Sequence, residues 1–191
     1  MTTQLYLVRH AQTDWNVEGR YQGQADPPLN TAGRAQAAKL SQELAGLSFT
    51  AAYSSDLRRA RETAEILAAP RSLAVQVDPR LREIRLGVWE GQLATEIASR
   101  YPAEWAERLR DPLNARAPGG EMVAEVARRM AEAATAIAGA QPEGVVLVVS
   151  HGVALATLLC QVRGQPLAEA FQAIPYNSHP EMIVWPPEGP A

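Results

Sequence analysis

Hydrophobic residues recur along the chain in two rhythms, short continuous runs that suit strands and three- or four-residue steps that suit helices. The first run, QLYLV at residues 4 to 8, gives way at once to the polar stretch RHAQTDWN, which predicts a strand ending in reactive side chains. A loop holding Gly19, Gly23, Pro27 and Pro28 leads to TAGRAQAAKLSQELAG, where Ala35, Ala38, Leu40 and Leu44 predict a helix closed by Gly46. Residues 49 to 53 read as a second strand. After it, Ser54, Ser55 and Asp56 offer an N-cap for a helix running to about Ala69, where Pro70 stops it.

LAVQV at 73 to 77 predicts a third strand, and LREIRLGVWEG after it reads as a loop. Thr95 to Arg110 is helical in pattern with a break at Pro102. The following DPLNARAPGGE, with two Pro and two Gly, predicts a flexible connection able to cover a site. Val123, Val126, Met130, Ala133 and Ile137 then mark an amphipathic helix. VVLVVS at 145 to 150 is a continuous β-branched run, as expected of a strand covered on both faces, and HGVALATLLCQVRG continues it as a helix. A last apolar run, MIVW, precedes PPEGPA, which is too rich in Pro to prolong a strand.

Strands alternating with helices imply an α/β fold of three layers, a mostly parallel central sheet with helices on both faces. No repeat or shift in composition divides the chain, so a single domain over residues 1–191 is expected. In such sheets ligands bind beyond the carboxyl ends of the strands. His10 and His151 directly follow the two clearest strands, and so fall on that edge.

Composition narrows the partners. The chain has 18 basic and 21 acidic side chains, a formal net charge of −3 and 47% hydrophobic residues, the proportions of a soluble protein with no summed positive field. Binding to nucleic acid or to an anionic membrane is therefore not expected. The opening residues carry no basic leader and no apolar run approaches the roughly 20 residues that span a bilayer, which points to the cytoplasm. Cys160 is the one cysteine, and with three His it makes neither a disulfide nor a Cys-rich zinc site. It sits in an apolar helical stretch and is expected to be buried and inert.

The helix after Ser55 would carry Arg58 and Arg59 to the same edge as the two His, with unpaired N–H groups and a positive dipole end beside them. Guanidinium forks and helix N-termini suit phosphate. There is no GxxxxGK[ST] loop, and Pro166 stands where a cysteine phosphatase built on Cys160 would need Arg. Asp14, Asp26 and Asp56 are the Asp near the expected mouth, weak grounds for a metal site, so neither metal nor cofactor is expected. A neutral imidazole aimed in line can itself accept a phosphoryl group, which makes His10 the candidate nucleophile and His151 the group that steadies the transfer.

LYLVRHAQTDWN, YSSDLRRARETA, LREIRLGVWEG and VVSHGV together resemble the histidine phosphatase superfamily, which includes phosphoglycerate mutases and small-molecule phosphatases, from residue 5 to about 155. The resemblance implies that His10 becomes a phosphohistidine while Arg9, Arg59 and His151 hold the phosphoryl oxygens. Arg59 is chosen because it directly precedes Ala60 within RAxxTA, with Arg58 the fallback. Asn16, Gln22 and Gly23 match positions that contact phosphate or substrate, and Gly152 of VVSHGV is grouped with them. The family's proton donor falls on Glu83, with Glu90 its substitute, and would protonate the leaving alkoxide and then activate water.

The chain departs from the family where Ala11 replaces Gly, a change that matters if that position needs a positive φ or close approach to phosphate. The short stretch from Trp89 to Gly119, and the end soon after MIVW, favour a metal-independent phosphatase of a small phosphorylated metabolite over a mutase of the phosphoglycerate type. A phospho-ligand binding module without catalysis is a third reading, opposed by the presence of both His and Glu83. α-Ribazole phosphate, phosphoglycerates and sugar phosphates are the candidate substrates by resemblance, and a homodimer is left open.

Overall fold

The structure is a computed structural model, and it describes residues 2–187. Five strands form one sheet in the order β3-β2-β4-β1-β5. They are β1 (Thr3–Arg9), β2 (Ala51–Ser54), β3 (Val75–Val77), β4 (Val145–Ser150) and β5 (Pro180–Trp185). β1 and β2 both run parallel to β4, and β3 runs parallel to β2. β5 alone is antiparallel, paired on the outer side of β1. It ends at Trp185 before Pro186, as the Pro-rich tail requires, and residues 188–191 of that tail lie outside the described residues.

β4 shows why its run is apolar without interruption. Val146 and Val148 pack with Leu5, Leu7 and the helices α6 (Val123–Ala140) and α7 (Gly152–Arg163) on one face. Leu147 and Val149 pack with Val8, Ala52 and the helices α2 (Thr31–Glu43) and α3 (Arg58–Ala68) on the other. Side chains that alternate between two covered faces must all be apolar. This is the expected three-layer α/β architecture.

Two helices, α4 (Ala94–Arg100) and α5 (Pro102–Arg110), divide at Pro102 as expected. A short helix, α1 (Asp14–Glu18), was not expected; Thr13 caps it by accepting from the Asn16 amide while the Asn16 side chain accepts from the Thr13 amide. The start of α3 also differs from the sequence reading. Leu57 occupies the N-cap, and the Arg58 amide donates instead to Asp26, distant in sequence, at 2.7 Å. Asp56 is drawn off by Arg82, whose Nε lies 2.8 Å from its carboxylate.

The 111–121 connection likewise differs from its expected covering role. It packs against the 85–88 segment, with Val88 donating to Pro118 and Glu121 accepting from the Arg85 amide, and none of its residues lines the main cavity. Chains leaving β1 and β4 turn to opposite faces of the sheet, β1 toward α2 and β4 into α7, which opens a crevice at their carboxyl ends.

Candidate active site

β1 and β4 are hydrogen-bonded neighbours in register Arg9↔Ser150, so the residues that follow, His10 and His151, emerge side by side. The His10 amide donates to the Ser150 carbonyl at 2.9 Å, and the two imidazole centroids stand 5.2 Å apart. Sheet register alone thus delivers both rings to one place. The Ala11 carbonyl lies 2.8 Å from His10 Nδ1 and can only accept, so Nδ1 carries the proton and Nε2 keeps its lone pair. Arg59 Nε donates toward that lone pair from 3.3 Å. Burial, and then the cations of Arg59 and Arg9, hold the His10 pKa well below its ordinary value, so the ring is neutral.

His151 is wholly buried, and neither ring nitrogen meets a hydrogen-bond partner among the described residues. Burial and the Arg59 cation also press its pKa well down. An imidazole kept dry and unpaired costs about 1–3 kcal/mol and is suited to an oxygen that arrives with a ligand. Arg9 is similar. One Nη donates to Pro175 at 3.1 Å while its buried Nε has no partner among the described residues.

Arg59 is buried from the first turns of α3 and braced by the carbonyls of Gly23 at 2.7 Å and Ala25 at 2.6 Å. Burial lowers its pKa to about 10, which leaves it a cation at neutral pH. Arg58 points elsewhere, to a surface cluster with Arg34 and Arg61.

Glu83 lies in the segment between β3 and α4, where its carboxylate accepts from the amides of Ile84 at 2.9 Å, Ala154 at 3.1 Å and Val153 at 3.2 Å. The last two belong to the first turn of α7, so Glu83 rests on the helix that His151 begins. Glu90 does not face the site. Its Oε1 accepts from the amides of Gln24 and Leu86, both at 3.0 Å, and ties two loops together.

A cavity of about 350 Å³ gathers Arg9, His10, Asn16, Gln22, Gly23, Arg59 and Glu83. Gln22 Oε1 is buried there without a partner among the described residues. His151 stands beside His10, 5.2 Å between ring centroids, without itself being part of the lining, and Gly152 lies next to Arg9, where a Cβ would press on Ile174 at 3.0 Å and only touch the guanidinium at 3.5 Å. Ala11 has no positive φ, and its methyl packs with Leu29 and Ala37, outside the cavity lining. The Ala11 methyl therefore does not narrow the cavity beside His10.

Arg20, Tyr21, Arg108 and Phe171 also line the cavity, and sequence patterns did not single them out. For Arg108 a signal existed in its spacing of three from Trp105, which puts both on one side of α5. Among the described residues no three His, Cys, Asp or Glu side chains gather as a metal site requires, and no helix is long and apolar enough to cross a membrane.

A neutral, oriented imidazole beside a second buried imidazole and two guanidiniums makes a pocket chemically suited to a phosphoryl group. The chain belongs to the histidine phosphatase superfamily, matching its branch 1 over residues 5–190. It is 41% identical over 164 residues, 85% of this chain and 76% of the other, to a protein of Erwinia tasmaniensis called "Probable phosphoglycerate mutase GpmB". It is 36% identical over 165 residues, 86% and 78% of the two chains, to "Phosphoserine phosphatase 1" of Hydrogenobacter thermophilus. The solved structure of Bacillus stearothermophilus YhfR superposes with a TM-score of 0.88 at 37% identity, covering 94% of this chain and 90% of that one.

Proposed function

We propose that the protein is a metal-independent phosphomonoesterase that hydrolyses a small phosphorylated metabolite through a phosphohistidine. The observation that carries this reading is the His10 tautomer: Nδ1–H donates to the Ala11 carbonyl, so Nε2 keeps its lone pair, met only by a long 3.3 Å contact from Arg59 that an arriving phosphoryl group would replace, on a ring held neutral by burial. Nε2 attacks phosphorus as the ester P–O bond breaks in line, and Arg9, Arg59 and an N–H of His151 hold the phosphoryl oxygens. Glu83 gives its proton to the leaving alkoxide, then takes one from the water whose oxygen displaces Nε2. Inorganic phosphate leaves and His10 returns to its starting state. The relative named as a phosphoserine phosphatase supports hydrolysis.

A mutase of the phosphoglycerate type is the second reading, favoured by the name of the 41% identical relative. Incubation with p-nitrophenyl phosphate in EDTA, and in parallel with 3-phosphoglycerate plus 2,3-bisphosphoglycerate, separates the two. Phosphate release that survives EDTA and disappears in His10→Ala is expected. Isomerisation without net release would install the mutase, and silence in both assays would leave a binding module.

A further inference from the structure

The cavity holds more positive charge than one phosphoryl group accounts for. Arg9 and Arg59 stand with His10 at the phosphoryl end, next to Glu83. Arg20 is already paired, with Glu18 at 2.6 Å and Glu96 at 3.9 Å. Arg108 is left over: among the described residues it forms no ion pair with any carboxylate. Its guanidinium lies over the Phe171 ring at 3.9 Å, with the Tyr21 and Trp89 rings at 5.8 and 5.9 Å. Stacking occupies the face of a guanidinium and leaves its in-plane N–H donors free, in the fork geometry that matches a planar or tetrahedral anion. Burial lowers the pKa of Arg108, with the Tyr21 hydroxyl offsetting only part of that effect and no carboxylate beside it. Ile84, Leu86, Val153 and Ile174 add apolar surface to the same lining.

We propose that Arg108 is a specificity-determining residue that binds a second anionic group, a carboxylate or a second phosphoryl, carried on the alcohol part of the substrate. This rests on the phosphomonoesterase reading. It selects phosphorylated acids and bisphosphates over neutral sugar or nucleoside phosphates.

Two pairs of esters test it: 3-phosphoglycerate against glycerol 3-phosphate, which differ by a carboxylate, and glucose 1,6-bisphosphate against glucose 6-phosphate. In the native enzyme kcat/KM is expected to favour the doubly anionic member of at least one pair by tenfold or more, and the pair that responds identifies the anion. Arg108→Met keeps the apolar stem and should pull that ratio toward one, chiefly through KM, while Arg108→Lys retains part of it. A native ratio at or below one in both pairs, or a ratio unchanged in Arg108→Met, overturns the proposal. Should Arg108→Met not fold, the native ratio and the Lys variant decide. If no ester, p-nitrophenyl phosphate included, is turned over, the hydrolytic reading fails by itself. Calorimetric titration of the protein with 3-phosphoglycerate and glycerol 3-phosphate then decides the Arg108 question, and equal affinities overturn it.

Discussion

The carboxylate of Glu83 accepts the amide of Ala154 at 3.1 Å, so the candidate proton donor is seated on the N-terminus of the helix that His151 opens. Helix and loop thereby fix the position of the Glu83 carboxylate relative to the His10 and His151 rings. Glu83→Gln preserves the shape and removes the transferable proton. Esters with alkoxide leaving groups are expected to slow by about 10²–10⁴-fold, the usual worth of a general acid. p-Nitrophenyl phosphate, whose leaving group needs little protonation, should lose far less in its first step. Burst and steady-state phosphate release across a series of leaving groups measures this, and equal losses throughout would remove Glu83 from the acid role.

Arg129, on α6, supports the same segment from the other side. It donates to the carbonyls of Arg80, Arg82 and Glu83, at 2.7, 2.5 and 2.9 Å, and pairs with Glu121 at 3.1 Å with both side chains 16% exposed. Removing one member of a largely buried pair costs about 3 kcal/mol, because the other charge is left without a partner. Arg129→Met is thus expected to lower the melting temperature, and adding Glu121→Gln should recover part of it. Activity should fall with the same leaving-group dependence as in Glu83→Gln, since the loop that carries Glu83 is released. A loss uniform across leaving groups would assign Arg129 to stability alone.

The parts of this site that sequence exposes are those fixed by local rules. His10 and His151 follow continuous apolar runs, and a parallel sheet places the ends of such runs on one edge. Arg59 follows from a strand passing into a helix. Tertiary partners escaped because their spacing carries no period: Asp26 caps α3 from a distant loop, displacing the local Ser-Asp cap. Arg129 reads as one of many charges on an amphipathic helix, yet it turns inward to three carbonyls. The cavity's far wall joins α5 to Phe171, segments whose meeting only the folded chain reveals.

Both buried imidazoles make stability depend on pH. Their pKa values are lowered by burial, so the unfolded chain binds protons below about pH 6.5 that the folded chain refuses. Above that pH neither ring contributes. Below it each lowers stability by about 1.4 kcal/mol per pH unit until the folded pKa is reached. Denaturant melts between pH 7.5 and 5 should therefore show a shallower slope in His151→Gln than in the native chain. Parallel slopes would mean that the folded ring takes up its proton normally.

Gly23 joins backbone geometry to Arg59. Its φ is +51°, its carbonyl accepts from Arg59 Nη2 at 2.7 Å, and a Cβ there would land on the Glu90 carboxylate. Gly19 offers a control, since its φ is +72° but a Cβ would meet nothing within 4 Å. Both Ala variants incur the left-handed penalty of about 1–2 kcal/mol. Only Gly23→Ala must also move Glu90 or the loop, and any movement of the loop carries away a carbonyl that aims Arg59. Gly19→Ala is accordingly expected to melt a few degrees lower with turnover of p-nitrophenyl phosphate near native, whereas Gly23→Ala should lose turnover by tenfold or more at temperatures where it is fully folded. Matching activities in the two folded variants would show that Arg59 keeps its aim without the Gly23 carbonyl, leaving its contact with Ala25 to orient the guanidinium.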